Sequence, residues 1–301
     1  MPAMPEELGE GATVGAECIM GLVTIIITNC PHARTANEWL WGKIWRKVKY
    51  NFDMRRSITP RFIADCITTT IVTYLGVGMV LDAFSGVGGQ TASLLAAGLT
   101  VYACDIDAAN VEHTKHNASA HGVGVLERLF IRCGDYFKRV AKLAARWLKE
   151  GTKFAAIHFD MPWGQEYNSN TYCLDKMGDG TMSAFNVLNV AASLADSFIV
   201  KCPKNVLIAD VMKLADYLHG VKGLTGEAQM PLVEVFMSGD KTHMAVIYMG
   251  DIAVKRLADV PPAARVRDLT GTALTLEECA SSMRAQAKGV GCAKVQFQAR
   301  A

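Results

Sequence analysis

The sequence predicts an α/β fold built on a mostly parallel sheet, on three observations. Apolar, β-branched runs alternate with stretches of helical spacing from Met79 to Leu218. The first of these runs ends in an acid and a glycine turn, Asp82-Ala-Phe-Ser-Gly-Val-Gly-Gly89. The last two runs are separated only by Ser238-Gly-Asp-Lys-Thr242. A parallel connection needs a crossover of a dozen or more residues, so that final pair must be an antiparallel hairpin. With 301 residues, 50% of them hydrophobic and 20% charged, the chain has ample length to bury a core as one large domain or two small ones.

Taken in order, residues 1–17 are rich in Gly, Pro and Glu and read as a flexible leader. The apolar run Ile19–Thr28 is too short to span a bilayer and has no Lys or Arg before it, so it reads as a buried strand or helix and not as an anchor or signal. A basic, aromatic segment follows and closes at Ser57-Ile-Thr-Pro60. Helical spacing across Phe62, Ile63, Cys66, Ile67 and Ile71 predicts a helix packing on the first strand of the sheet. Strands are expected at Met79–Phe84, Thr100–Asp105, Leu129–Cys133, Phe154–Asp160, Ser197–Cys202, Leu232–Met237 and His243–Met249. Helices are expected at Thr91–Ala97, Ala108–His121, Tyr136–Lys149, Met182–Ala195 and Val206–Leu218. Five parallel strands followed by a terminal antiparallel hairpin distinguish a class I S-adenosylmethionine-dependent methyltransferase sheet from an ordinary dinucleotide-binding one. Residues 251–301 carry eight Lys or Arg against five Asp or Glu and read as a partly disordered or loosely packed C-terminal tail.

Three acids fall at successive strand ends: Asp82, Asp105 and Asp135. Asp105 lies 19 residues after Gly86, the separation at which an acid reaches a ribose diol. The glycines do not follow the G-x-G-x-x-G fingerprint, and no Arg stands ready for a pyrophosphate. An acid before the turn suits a ligand carrying an ammonium and a sulfonium, and S-adenosylmethionine meets that description. Gly86 and Gly88 would let the backbone approach it, and Phe84 lies in the same turn. Asp135 would accept from the adenine amine, with Ile106 and Tyr136 flanking the ring. Each acid alone could equally be a helix cap or turn residue.

The fourth strand ends Ile157-His-Phe-Asp-Met-Pro-Trp-Gly164. In methyltransferases with this sheet, a polar-Pro-Pro-aromatic tetrad at that point serves exocyclic amines. Asp160 and a backbone carbonyl held by Pro162 could accept the two amine protons and steer the lone pair toward the methyl group. Trp163 would stack on the base and fix the in-line geometry.

Between Trp39 and Arg61 seven basic residues face one acid, Asp53, among Trp39, Trp41, Trp45, Tyr50 and Phe52. Such a block suits either a solvated face or nucleic-acid contact. The nine cysteines include no C-x-x-C pair, which argues for reduced thiols in a cytosolic or nuclear protein and against a zinc site.

The blocks Asp82–Thr91, Asp105-Ile-Asp107, Cys133-Gly-Asp135, Pro162-Trp-Gly164 and Ser57-Ile-Thr-Pro60 closely resemble those of the trimethylguanosine synthase family, from about Trp41 to Gly250. The resemblance implies methylation of N2 of 7-methylguanosine RNA caps, giving 2,7-dimethylguanosine or 2,2,7-trimethylguanosine. It implies S-adenosylmethionine as cofactor and no metal, since a sulfonium leaving group needs no Lewis acid. The implied partner is capped RNA of the small nuclear or nucleolar type, met by a nuclear monomer, also cytoplasmic, that is not membrane-bound. In that frame Trp163 stacks on the charged 7-methylguanine, and Thr59 helps close over the cofactor. Lys43, Arg46, Lys47 and Lys49, with Lys201, Lys204 and Asn205, match cap-phosphate contacts, and Tyr167 is a further cap candidate.

The sequence also departs from the family. Its tetrad reads Asp-Met-Pro-Trp-Gly-Gln-Glu (160–166) where the family has Ser-Pro-Pro-Trp-Gly-Gly-Pro. Met161, Gln165 and Glu166 alter the loop beside the cap and bear on the second methylation. Arg61 stands where the family has Glu, and the link from Asp53 to Ser57 is shorter than usual. The expected organisation is a leader (1–17), an N-terminal helical and basic extension contacting cap or RNA (18–60), a methyltransferase domain (61–250) and the tail (251–301). An rRNA or tRNA base amine N-methyltransferase and a non-catalytic cap-binding module stay open as alternatives.

Overall fold

A computed structural model describes residues 23–122, 124–164, 169–223, 230–260 and 274–289. It contains the expected parallel strands, β2 (Met79–Asp82), β3 (Thr100–Asp105), β4 (Leu129–Cys133), β5 (Ala156–Phe159) and β6 (Ser197–Cys202). The hairpin of β7 (Leu232–Ser238) and β8 (Lys241–Gly250) follows. An eighth strand, β1 (Thr24–Asn29), precedes them, and the sheet order is β1-β7-β8-β6-β5-β2-β3-β4. β8 lies antiparallel to both β6 and β7, and every other pairing is parallel.

β1 makes residues 24–28 of the apolar Ile19–Thr28 run a strand, which places the described start of the N-terminal extension in the sheet; residues 19–22 lie outside the described ones. A short apolar run does not separate strand from buried helix by periodicity. What decides it is the free edge of β7, which Thr24–Asn29 pairs with residue for residue from Leu232 to Met237. Ile25 and Ile27 then enter one core and Ile26 the other, because a strand alternates its side chains between faces.

Helices cover both faces. On one lie α2 (Arg61–Leu75), α3 (Gly89–Ala96), α4 (Ala108–Ser119) and α8 (Asp251–Ala258), around Ile63, Ile67, Leu94, Val111 and Ile252. On the other lie α5 (Tyr136–Glu150), α6 (Ala184–Ala191), α7 (Ile208–Lys222) and α9 (Leu276–Gly289), around Val140, Leu188, Leu214 and Leu276. Buried on both sides, the central strands read as continuous apolar runs, which is why they were visible in the sequence. The stretch expected to be a loose tail supplies α8 and α9, each with residues in a core; residues 261–273 and 290–301 lie outside the described ones. Among the described residues no helix is long and apolar enough to cross a membrane.

A third, smaller cluster matters more for the site. Leu40 and Trp41 of α1 (Ala36–Trp41) pack with Ile58 and Val87, so apolar contact holds the basic, aromatic arm against the glycine turn. Of the described cysteines, Cys66, Cys104, Cys202 and Cys279 are buried, and all seven are free thiols; Cys18 and Cys292 lie outside the described residues.

A buried charge ties the sheet's added edge to α8. Glu234 of β7 accepts hydrogen bonds from Thr28 Oγ1 of β1 (2.5 Å) and Tyr248 of β8 (3.0 Å), and forms an ion pair with Arg256 of α8 at 2.8 Å. Burial pushes the Glu234 carboxyl up, but the Arg256 guanidinium and these donors more than offset it and hold the group below its usual 4.5. Its stabilisation is therefore complete above pH 4.5 and is lost as the pH falls below that value. Arg256→Met leaves the buried carboxylate uncompensated and should cost about 3–5 kcal/mol in urea unfolding at pH 7. The difference between the variant and the native chain should shrink in acid.

Candidate active site

The site forms at the carboxyl ends of β2 to β5, where the strand order reverses. From β2 the chain runs outward to β3 and β4, then returns to β5 on the other side of β2. The loops after β2 and β5 therefore diverge and leave a crevice, the usual ligand position in such sheets.

The glycine turn after β2 is held from several directions. Asp105 Oδ2 accepts from the Gly86 amide at 2.8 Å, while its Oδ1 accepts from the Asp107 amide and from Asn110 Nδ2. Burial raises the Asp105 carboxyl, and the donors from Asp107, Asn110 and Gly86 partly offset that rise. Thr114 of α4 donates to the Gly86 carbonyl at 2.9 Å. Gly88, at φ +89°, faces Thr114 so closely that a Cβ would sit 3.0 Å from its Cα, so the turn cannot carry a side chain there. Asp82 is 1% exposed, with Oδ1 2.9 Å from His158 Nδ1 and Oδ2 accepting from Thr91 at 2.5 Å. Both its oxygens are turned to the protein, making it a floor of the crevice more than a free ligand contact. Neither His158 nor Thr91 was singled out in the sequence, since a polar residue inside an apolar run carries no mark of its partner.

The crevice encloses a cavity of about 500 Å³. Of the residues expected to hold the cofactor, Thr59, Asp82, Phe84, Gly86, Asp105, Ile106, Asp135 and Tyr136 line it. Gly88 shapes the turn behind the wall without lining it. Phe84 stacks on Tyr136 at 4.8 Å, and the Tyr136 hydroxyl donates to the Val187 carbonyl at 2.7 Å. Ile106 is 74% exposed and offers the open apolar wall. Asp135 caps α5, Oδ1 accepting from the Lys138 amide at 3.0 Å, while Oδ2 has no partner among the described residues.

Asp160, Pro162 and Trp163 line the opposite wall with Lys201. Asp160 Oδ2 accepts from Thr59 Oγ1 at 3.1 Å and pairs with the Lys201 ammonium. Lys201 Nζ lies 5.1 Å from the centre of the Trp163 ring, so one face of the indole already meets a cation. Met161, where the family has proline, is buried in the main core and is held by packing instead of by a ring.

Of the expected phosphate contacts, Lys201 lines the cavity and the others do not. The charged ends of Lys43, Arg46, Lys47 and Lys49 belong to exposed residues, and none of the four lines the cavity. Asn117 of α4 explains why: it is fully buried and bonds the Lys49 amide and carbonyl and the Val87 carbonyl. The arm is thus stitched to the outside of the glycine turn. Lys204 pairs with Glu277 of α9 at 2.6 Å, and Asn205 donates to the Ser169 carbonyl, both away from the cavity. Arg61 pairs with Asp65 at 2.7 Å, within its own helix. Tyr167, Gln165 and Glu166 lie outside the described residues. Asp53, Met54 and Arg56 line the cavity although the sequence did not mark them as site residues. Their nearness to Thr59 in the chain was the available signal.

A family model described as RNA cap guanine-N2 methyltransferase matches residues 77–250, more than half of the chain. The chain is 28% identical over 163 residues to trimethylguanosine synthase of Schizosaccharomyces pombe, across 54% of its own length and 64% of that protein's. The match thus spans a little under two thirds of that relative. A SAM-dependent methyltransferase from Agrobacterium tumefaciens aligns with a TM-score of 0.45 and 14% identity, over 64% of this chain and 62% of that one. Magnesium protoporphyrin IX methyltransferase from Synechocystis PCC 6803, solved with SAH, aligns with a TM-score of 0.42 and 18% identity, over 69% of this chain and 90% of that one.

The backbone after Trp163 has its own requirement. Gly164 takes φ +67°, and a Cβ there would lie 2.6 Å from Asp179 Oδ1 and 2.7 Å from the Asp179 nitrogen. Gly164→Ala should therefore displace the Asp179 turn and cost at least about 1–2 kcal/mol for the left-handed backbone alone. Thermal unfolding measures the loss.

Proposed function

The chain belongs to the RNA cap guanine-N2 methyltransferase family, and on that basis we propose that it transfers a methyl group from S-adenosylmethionine to the exocyclic N2 of 7-methylguanosine at an RNA cap. The observation that carries this reading is the shared cavity. Asp105, Asp135 and the glycine turn line one wall, and Asp160, Pro162 and Trp163 the other.

The residues of the first wall fit an adenosine ligand. Asp105 suits the ribose hydroxyls, because its oxygens are oriented by three donors and Oδ2, which accepts only from the Gly86 amide, still has lone-pair capacity. Asp135 Oδ2 suits the adenine amine, and Phe84, Ile106 and Tyr136 supply the apolar surround. When bound, the cofactor supplies an electrophilic methyl on a sulfonium that departs as a neutral thioether.

The acceptor wall has a harder task. An aryl amine is a poor nucleophile, because its lone pair is delocalised into the ring. Asp160 Oδ1, which has no partner among the described residues, accepts one amine proton. The backbone beside Pro162 holds the second, leaving the lone pair directed across the cavity. Trp163 stacks on the base, where the fixed positive charge of 7-methylguanine strengthens the contact by cation–π attraction. Plain guanine lacks that charge, so the site selects the methylated cap. The capped acceptor is an RNA of the small nuclear or nucleolar type, and the exposed basic arm meets its phosphates outside the cavity.

With labelled cofactor, 7-methyl-GDP should accept methyl groups and GDP should not; transfer to neither, with cap binding intact, refutes the catalytic reading. Mass analysis of the product cap counts one added methyl for the dimethyl form and two for the trimethyl form. Trp163→Ala should weaken 7-methyl-GDP binding by about 1–2 kcal/mol or more, through lost stacking. Calorimetry with S-adenosylhomocysteine should show cofactor affinity unchanged.

A further inference from the structure

Lys201 is the last cation of β6, and it is 2% exposed. An ammonium has three N–H donors, and Lys201 has three oxygen acceptors around it. They are the Ser57 carbonyl at 3.4 Å, Thr59 Oγ1 at 2.9 Å and Asp160 Oδ2 in a close ion pair. No donor remains for a phosphate. A buried charge is tolerated only when paired and hydrogen-bonded, and these partners supply both conditions. The same bonds saturate Asp160 Oδ2, which takes both Lys201 and Thr59, while the Asp160 side chain stays 18% exposed on the cavity wall.

The partners come from two places in the chain. Asp160 ends the catalytic strand, whereas Ser57 and Thr59 belong to the arm that covers the glycine turn. That cover is close: a Cβ on Gly89 would lie 3.1 Å from the Thr59 carbonyl. One cation therefore joins the arm to the acceptor wall.

We propose that Lys201 is a positioning residue and a latch. It fixes the Asp160 carboxylate so that Oδ1 is the oxygen presented to the acceptor amine, and it ties Ser57–Thr59 down over the cavity. It takes no part in holding cap phosphates, although its position matches a cap-phosphate contact of the family. Arm closure and carboxylate orientation then form one state, since releasing Lys201 undoes both. The catalytic half of this inference rests on the methyl-transfer reading above, whereas the latch does not.

The test compares Lys201→Met with the native chain, using two acceptors that differ only in phosphate, 7-methylguanosine and 7-methyl-GDP. Positioning predicts that kcat falls about ten- to a hundredfold for both, because a small misplacement of an acceptor group costs that much. The ratio of kcat/KM between the two acceptors should stay at its native value. A loss confined to 7-methyl-GDP, seen as a rise in KM, would overturn the proposal and return Lys201 to the phosphates. So would an unchanged kcat. The second readout needs neither cofactor nor activity: in the free protein, trypsin should cut after Arg55 or Arg56 at least about fivefold faster in the variant, because cleavage follows the population of the open arm. An unchanged rate overturns the latch. Thr59→Val removes two of the latch bonds without unpairing Lys201 from Asp160, and it should show the same faster cleavage in milder form if Lys201→Met does not fold. If the native chain methylates neither acceptor, the methyl-transfer reading fails, and the cleavage rates alone decide the latch.

Discussion

The reversal of strand order around β2 is the constraint on which the site depends. Because β3 lies on one side of β2 and β5 on the other, the acid-bearing ends of β2, β3 and β4 and the Asp160 loop after β5 meet along one edge of the sheet. No single motif creates this meeting. Asp105 is useful because β3 pairs with β2 and brings its carboxylate to the Gly86 amide. The hydrogen bond between them ties the cofactor turn to the neighbouring strand, and Thr114 repeats the tie from α4. The turn is thus shaped before any ligand arrives, which lowers the ordering cost of binding.

The N-terminal arm is part of the same construction and not an appendage to it. β1 extends the sheet, Trp41 and Ile58 pack on Val87, and Asn117 stitches the backbone at Lys49 to the back of the glycine turn. With these anchors in place, Ser57–Thr59 has little choice but to lie across the crevice. Thr59 then reaches Asp160, more than a hundred residues along the chain, through one hydrogen bond.

Charge is distributed with a clear division. The exposed cations at 43–49 stay in water on the outer face. The buried cations, Lys201 and Arg256, each meet a carboxylate and serve to fix geometry. Lys201 also places a positive charge on one face of Trp163.

Strand and helix positions were legible in the sequence because parallel strands buried on both faces are continuous apolar runs and the helices between them are amphipathic. The hairpin was legible because four or five residues cannot make a parallel crossover. The placement of Asp105, Asp135 and Pro162-Trp163 on the cavity wall was legible because each follows from position at a strand end. The roles of Lys201, His158, Asn117 and Arg256 were not, because each is defined by a partner distant in the chain. Composition reads Lys201 and Lys49 alike, as basic residues near a ligand site. Only the tertiary structure shows that one is enclosed by three oxygens and the other is in solvent, since desolvation is a property of what surrounds a residue and not of the residue itself.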